Sequence, residues 1–338
     1  MKFMTMAKAG LGVIKGHFAS IKGPLFVTLA TNNSCQSHCK YCKIPKRQQR
    51  DMTTEEIFRL IDEISALGTL RLGIWGGEPL LRHDIVDIVR HAHEKGLYVT
   101  LDSNGYLLPE KREILDYLDH MILSIDGPEE AHDANREPGS WKKVMAAMDC
   151  RRPDKALWTI TVMTKNNIDT ASLDWMLTQA EERNFIPTFQ VLHHSEHFGI
   201  NDPLRPEPEE YRKALRYLLD EKKKGRPVGN SVLCLENLIN WPDYNKNTLP
   251  QAGKGWKHCW GGKFMVNVDP NGDLYPCSLL IGDVPAPNFL ELGFAEAYRR
   301  ITPPPCQSCL ATCFTEYNLL LSLDPRTILS WVLAMGKK

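Results

Sequence analysis

Six short apolar runs, each followed by a stretch of helical periodicity, constrain what this chain can fold into. They are PLFVTLAT (24–31), RLGIWG (71–76), YVTLDS (98–103), MILSID (121–126), WTITVMT (158–164) and PTFQVLH (187–193). Near-continuous runs of Val, Ile, Leu and Thr suit buried parallel strands. Helical patterns lie between them at 53–67, 82–95, 109–118, 139–149 and 169–183. Such alternation argues for a parallel sheet with crossover helices. Six units predict an α/β fold, a partial (β/α)6 TIM-like barrel rather than a closed eightfold one. The functional residues of a barrel stand at the C-terminal ends of its strands, and this chain places its unusual residues there. The first strand runs into a loop with three cysteines. The second ends in Gly76-Gly77-Glu78-Pro79, the third in Asp102-Ser103-Asn104-Gly105, and the fourth in Ser124-Ile125-Asp126-Gly127. The sixth ends in His193-His194-Ser195.

A chain of 338 residues with 43% hydrophobic content has room for a large core and a smaller second unit. Its net charge of zero gives no electrostatic footprint for nucleic acid. No apolar run is long enough to span a bilayer, and the N-terminus lacks the pattern of a secretory signal, so a cytoplasmic protein is expected. The expected organisation is an amphipathic helix over 1–22, a core barrel over 23–200 and a helical linker over 201–255. A small unit over 256–318 and an apolar tail over 319–338 complete it. In the small unit, Pro270-Asn271-Gly272 predicts a hairpin turn, and a helix is expected near 289–301.

The ten cysteines are unevenly spread. Three sit in 35–42, three in 306–313, Cys259 and Cys277 stand between, and Cys150 and Cys234 are isolated. Disulfide frameworks belong to small exported chains, whereas close clusters in a long chain without a signal read as metal sites. Thiolates select zinc, copper(I) or iron–sulfur clusters. A closed zinc site wants four ligands. The first cluster offers Cys35, Cys39 and Cys42 with no evident local fourth, although His38 lies inside the loop. A cubane with three cysteines keeps one iron open to a small molecule. Zinc stays an alternative for both clusters, and with it a non-catalytic binding module.

Cys-x3-Cys-x2-Cys after the first strand of such a barrel resembles the radical S-adenosylmethionine (SAM) superfamily. The resemblance implies that Cys35, Cys39 and Cys42 hold a 4Fe–4S cluster whose open iron chelates SAM. Reductive cleavage would then yield a 5′-deoxyadenosyl radical that abstracts hydrogen from a substrate. Tyr41 would pack by the adenine. Gly76-Gly77-Glu78-Pro79 is similar to the segment that binds the SAM amino group, and Asp102, Ser103 and Asn104 fall where polar side chains meet SAM. Ser124 and Arg136, in LSIDGPEEAHDANR, resemble the serine and arginine that the peptide-modifying branch offers to SAM; an Arg fork suits a carboxylate. Val191 and Leu192 would flank the adenine.

Gly272-x4-Cys277 followed by Cys306-x2-Cys309 resembles the twitch form of the SPASM extension, which implies a second, auxiliary 4Fe–4S cluster. Cys259, Cys277, Cys306 and Cys309 match that pattern, and Cys313 could replace one of them. Ser278 stands where the sulfatase-maturing branch carries an aspartate base, which argues against that activity. The implied partners are an electron donor such as a flavodoxin or ferredoxin and a substrate that is a peptide, a carbohydrate or a nucleoside. Oxidation or crosslinking ranks above radical addition.

Residues 1–22 carry four lysines and no acid, with Met4, Ala7, Leu11, Ile14, Phe18 and Ile21 as an apolar stripe. Such a helix can lie on an anionic membrane surface or dock on the barrel. Gly10, Gly12 and Gly16 weaken it as a free helix. A basic helix ahead of the first strand also resembles the hopanoid-lipid adenosyltransferase branch, which would make a lipid-linked substrate the alternative.

Overall fold

The computed structural model describes residues 3–19, 21–194, 199, 202–251, 256 and 258–329, with only the backbone of 3–9. Ser195 and the end of the apolar tail lie outside the described residues. In chain order the elements are α1 (Phe3–Phe18), β1 (Phe26–Ala30), α2 (Thr54–Ala66), β2 (Arg71–Trp75), α3 (Ile85–Glu94), β3 (Tyr98–Ser103) and β4 (His120–Ser124). Next come α4 (Glu129–Asn135), α5 (Ser140–Asp149), β5 (Ala156–Met163), α6 (Thr170–Arg183), β6 (Ile186–Val191), α7 (Pro208–Lys223) and α8 (Val232–Ile239). The C-terminal part adds β7 (Thr248–Leu249), β8 (Met265–Val268), β9 (Leu274–Tyr275), α9 (Phe289–Leu292), α10 (Phe294–Arg299), β10 (Ser308–Cys309) and α11 (Thr312–Leu321).

All six apolar runs are strands. They form one sheet in the order β6-β5-β4-β3-β2-β1-β8-β9, and β1 to β6 are parallel throughout. This is the expected partial (β/α)6 barrel. Thr53 begins α2 with a reciprocal cap, its hydroxyl accepting from the Glu56 N–H while the Glu56 carboxylate accepts from the Thr53 N–H. The hairpin forms as expected, with Gly272 at φ +91°. Its first strand, β8, joins the barrel sheet in parallel beside β1, from Phe26 opposite Met265 to Leu29 opposite Val268.

The two faces of the sheet differ. Leu72, Ile74, Val99, Leu101, Met121 and Leu123 are fully buried under the helices. On the other face, Asp102, Ile122 and Trp158 share one row, and Ser124, Ile160 and Thr188 the next. These inward residues keep partial access to solvent, so they line a lumen. Helix α11 crosses this inner side. At its start the Thr312 N–H donates to Gln190 Oε1 on β6 at 2.9 Å. Further along, the Tyr317 ring lies 5.7 Å from that of Phe26 on β1, and Phe314 lines the same small cavity as Thr28 and Arg71. The Arg71 guanidinium lies 5.3 Å from the Tyr317 ring centre.

Three local expectations need correction, and one helix was not expected. The stretch 109–118 is two 3-10 turns, Leu108–Glu110 and Arg112–Asp116, because the chain must enter β4 at His120 and buries Leu108, Ile114 and Leu115 by tight turning. The helix near 289–301 breaks at Gly293 (φ +73°), where the freed N–H of Phe294 donates to Glu63 Oε2 of α2 at 2.6 Å. Helix α11 has no counterpart in the sequence reading. It is buried nearly all round, so it has no polar face to give a helical period.

Helix α1 docks, but not through the apolar stripe. Its inner face is Gly12 against Leu25, Val13, and Gly16, where a Cβ would stand 2.2 Å from the Phe264 ring. His17 Nε2 pairs with the Leu321 carbonyl at 2.8 Å. The glycines therefore allow close packing, and Leu11 (68% accessible) and Phe18 (88%) face outward.

Candidate active site

The loop after β1 and the turn after β2 are packed backbone to backbone. Gly77 donates to the Asn32 carbonyl and Glu78 to the Ser34 carbonyl, both at 2.8 Å. The Asn32 side chain returns a bond to the Glu78 carbonyl at 3.0 Å. A Cβ on Gly77 would lie 2.3 Å from the Ser34 oxygen and 2.4 Å from the Asn33 oxygen; one on Gly76 (φ +154°) would lie 2.7 Å from the Asn32 oxygen. The paired glycines are thus required by the cysteine loop itself. Gly77→Ala is expected to push that loop off the barrel rim at a cost of about 1–3 kcal/mol. Iron content after anaerobic reconstitution checks this: the variant should bind less iron at the first cluster.

Glu78 is 1% accessible and holds the ends of β2 and β3 together. Its Oε1 accepts from the Ser103 hydroxyl at 2.7 Å and the Leu80 N–H at 3.0 Å, and its Oε2 from the Asn104 N–H at 2.8 Å. Burial pushes its carboxyl up, against the pull of these donors. Ser103 is engaged a second time, accepting from the Gly105 N–H. Pro79 opens a 3-10 turn, Pro79–Leu81.

The three cysteines are half-buried at the barrel mouth. Donors surround their sulfurs. The Ser37 N–H lies 3.4 Å from Cys35 Sγ, and Asn104 Nδ2 donates to the same sulfur at 3.7 Å. The Ser37 hydroxyl is 3.3 Å from Cys39 Sγ, and Arg136 Nη1 donates to it at 3.6 Å. Burial, with the charges of Glu78, Cys39 and Cys42, pushes the Cys35 thiol up to about 12; burial and Cys39 push Cys42 up to about 11. Thiols in such surroundings need a bound cation to become thiolates, and N–H donors to sulfur are a feature of iron–sulfur ligation. His38 points away, 84% exposed and paired with Glu137 at 3.1 Å. Among the described residues, no three thiols, imidazoles or carboxylates stand close enough to hold a single metal ion.

One buried carboxylate organises the opposite side of the loop. Asp126 is fully buried at the end of β4. Its Oδ2 accepts from the Tyr41 hydroxyl and from Arg136 Nε, both at 2.8 Å, and its Oδ1 from the Val162 N–H at 3.0 Å. The Arg136 guanidinium stands 5.7 Å from the Tyr41 ring centre. Burial opposes its charge, but the carboxylate of Asp126 holds it firmly protonated. The motif reading passed over Asp126, Ser37 and Tyr106, whose hydroxyl is 3.4 Å from that of Ser37. Asp126 was visible at a strand end; nothing marked the other two.

The remaining expected residues divide. Asp102 and Ser124 face the lumen. Val191 is in register with Met163 and lies in the core beneath the helices, and Leu192 is buried beside it. His193 Nε2 meets Gln190 Nε2 at 3.0 Å, and His194 pairs with Asp202 at 3.3 Å.

In the C-terminal segment, Cys259 lies against Pro276 and Gly261, next to Cys277. The thiols of Cys259, Cys277, Cys306 and Cys309 act on one another electrostatically. Burial and Cys259 raise Cys306 to about 11, and burial with the charges of Cys259, Cys277, Cys313 and Cys306 raises Cys309 strongly. Cys313 is exposed, and the charges that act on it are those of Asp102 and Arg71. Cys150 and Cys234 are buried core residues.

A family model described as the Radical SAM superfamily matches residues 29–170. The chain is 27% identical over 266 residues to the PqqA peptide cyclase of Bradyrhizobium diazoefficiens, covering 75% of this chain and 66% of that protein. It is 29% identical over 314 residues to the PqqA peptide cyclase of Gluconobacter oxydans, covering 85% and 82%. Among solved structures it resembles Streptococcus suis SuiB bound to precursor peptide SuiA, with a TM-score of 0.64 at 16% identity over 86% of this chain and 68% of that one. It also resembles anSMEcpe with bound AdoMet, with a TM-score of 0.61 at 16% identity over 90% and 98%. The structural likenesses are of fold. The matched segment runs from the end of β1 to the start of α6 and so contains the whole thiol-lined mouth; residues 29–170 are a radical SAM domain, which marks the chain as an enzyme with a 4Fe–4S cluster and SAM as its cofactors.

Proposed function

We propose that this protein is a peptide-modifying radical SAM enzyme with an auxiliary 4Fe–4S cluster. The carrying observation is the convergence of Cys35, Cys39 and Cys42 with Asn104, Ser37 and the Asp126–Arg136 pair at one barrel mouth. When bound, cluster and SAM supply a 5′-deoxyadenosyl radical, the hard chemistry that cofactors carry. The chain supplies position and a dry site. The three thiols hold the cluster. Asp126 fixes Arg136 through Nε, which leaves its remaining N–H groups to meet sulfur or a carboxylate. Tyr41, tied to Asp126, forms an aromatic wall. Ile122, Trp158, Ile160 and Val162 line the lumen and suit an apolar side chain kept from water. Cys259, Cys277, Cys306 and Cys309 hold the auxiliary cluster.

Similarity to the PqqA peptide cyclases supports a peptide substrate. The expected electron source is a flavodoxin or ferredoxin. Anaerobic reconstitution followed by SAM and dithionite tests the reading. Release of 5′-deoxyadenosine supports it, and a colourless zinc-bound product overturns it. Deuterium transferred from a labelled peptide into 5′-deoxyadenosine would fix the substrate class; transfer only from a nucleoside, carbohydrate or lipid would replace it.

A second observation bears on location. Leu11, Ile14 and Phe18 form an outward apolar patch on α1 (47–88% accessible), flanked by exposed Lys15 and Lys22. No helix among the described residues is long and apolar enough to cross a membrane. The patch suits the surface of an anionic bilayer. Sedimentation with phosphatidylglycerol vesicles is expected to carry the protein down, with Phe18→Glu abolishing this; equal sedimentation with phosphatidylcholine vesicles would refute the electrostatic part.

A further inference from the structure

Burial divides the five C-terminal thiols four and one. Cys277, Cys306 and Cys309 are buried and Cys259 is half-buried beside Gly261 and Pro276. Cys313 is the exposed one, although α11, which carries it, lies against the inner side of the barrel. An exposed thiol on a helix packed there opens into the lumen. Its flanking neighbours fix the orientation. Thr312 is tied to β6 by its N–H to Gln190 and by its hydroxyl to the Phe189 carbonyl at 3.0 Å. Phe314 and Tyr317 close against β1 and β2, and Arg71 stacks on Tyr317. Cys313 lies one helical turn before Tyr317, so it opens on the side where Arg71 meets that ring and reaches Thr100, two residues before the lumen residue Asp102. Asn104 in turn donates to Cys35, so the thiol shares a lumen with the SAM-cluster loop. Arg71 Nη1 is buried beside this group without a hydrogen-bond partner, and its Nη2 donates to Thr100 at 2.9 Å.

We propose that Cys313 is a catalytic thiol of the lumen, not a cluster ligand, and that it donates a hydrogen atom to a carbon radical formed there. This rests on the radical SAM reading. In the step, the S–H bond breaks homolytically as a C–H bond forms, leaving one unpaired electron on sulfur. A low-potential one-electron donor of the flavodoxin or ferredoxin class reduces that sulfur, and the Asp102 carboxyl returns the proton. Asp102 regains its proton from solvent between turnovers, when the lumen is open. One radical is quenched, one electron and one proton are consumed, and the thiol is restored. Arg71 supplies a fixed positive charge beside the transient thiolate.

The test needs no identified substrate. Reconstituted enzyme is given SAM and dithionite in D2O, where the thiol exchanges to S–D, and the released 5′-deoxyadenosine is analysed by mass. The wild type is expected to give singly deuterated nucleoside. In Cys313→Ser and Cys313→Ala, whatever nucleoside forms should lose the label. Iron per chain is the independent readout: both variants should keep the wild-type value, whereas Cys309→Ser should lose the auxiliary iron. Loss of iron in the Cys313 variants would make it a ligand and overturn the proposal. Retained iron with undiminished deuterium would overturn the donor role alone. A wild type that releases no 5′-deoxyadenosine would sink the enzymatic reading, and the donor role with it.

Discussion

Alanine at Cys35, Cys39 or Cys42, one at a time, is expected to abolish release of 5′-deoxyadenosine and to remove about four irons per chain, one cubane. The effect should be all-or-none because the three thiols are not interchangeable with neighbours. Ser37 and Asn104 contact sulfur but offer weak ligands, and His38 is directed at Glu137 on the outside of the loop. With only three protein ligands, loss of one leaves two, too few to retain a cubane. The surviving iron should belong to the auxiliary cluster, so the visible spectrum should fall without vanishing. Quantitative iron and sulfide analysis, with chromatography of the nucleoside, reads both effects. A variant that still cleaves SAM at the wild-type rate would remove this trio from the reaction.

Asp126→Ala should be the most destabilising change outside the cysteines. The side chain is fully buried and accepts from Tyr41, Arg136 and the Val162 N–H. Arg136 is itself 6% accessible. Removing the carboxylate strands a guanidinium charge without its partner, which costs roughly 3–5 kcal/mol. It also frees a phenol and a backbone N–H in the interior. Thermal unfolding should show the loss as a lowered midpoint. Asp126→Asn keeps the acceptor oxygen and the shape, so it should fall between alanine and wild type in stability. SAM affinity should fall in both, since Arg136 and Tyr41 lose their common anchor. Wild-type stability in the alanine variant would mean that the Asp126–Arg136 pair does not hold this side of the mouth.

Much of the barrel was legible because its signals are local. Each strand is a short run of Val, Ile, Leu and Thr, and α2 announces itself by the Thr53–Glu56 capping pattern. The thiol trio and the Gly-Gly-Glu-Pro turn could be read for the same reason: a few adjacent residues carry the whole pattern. Helix α11 could not. Buried on nearly all sides, it shows no amphipathic period, and its contacts are to β1, β2 and β6, far away along the chain.

The spacing of residues along the chain therefore determined the fold class, the strand ends and the kind of cofactor, because backbone periodicity and close spacing of thiols are short-range properties. Only the tertiary structure decided three things. Gly77 is needed against the Ser34 carbonyl, Asp126 joins Tyr41 to Arg136, and α11 carries an exposed Cys313 along the inner side of the barrel. Each depends on what one strand end or helix meets across the barrel mouth or lumen. Such meetings are set by packing of distant segments, and no local pattern encodes them.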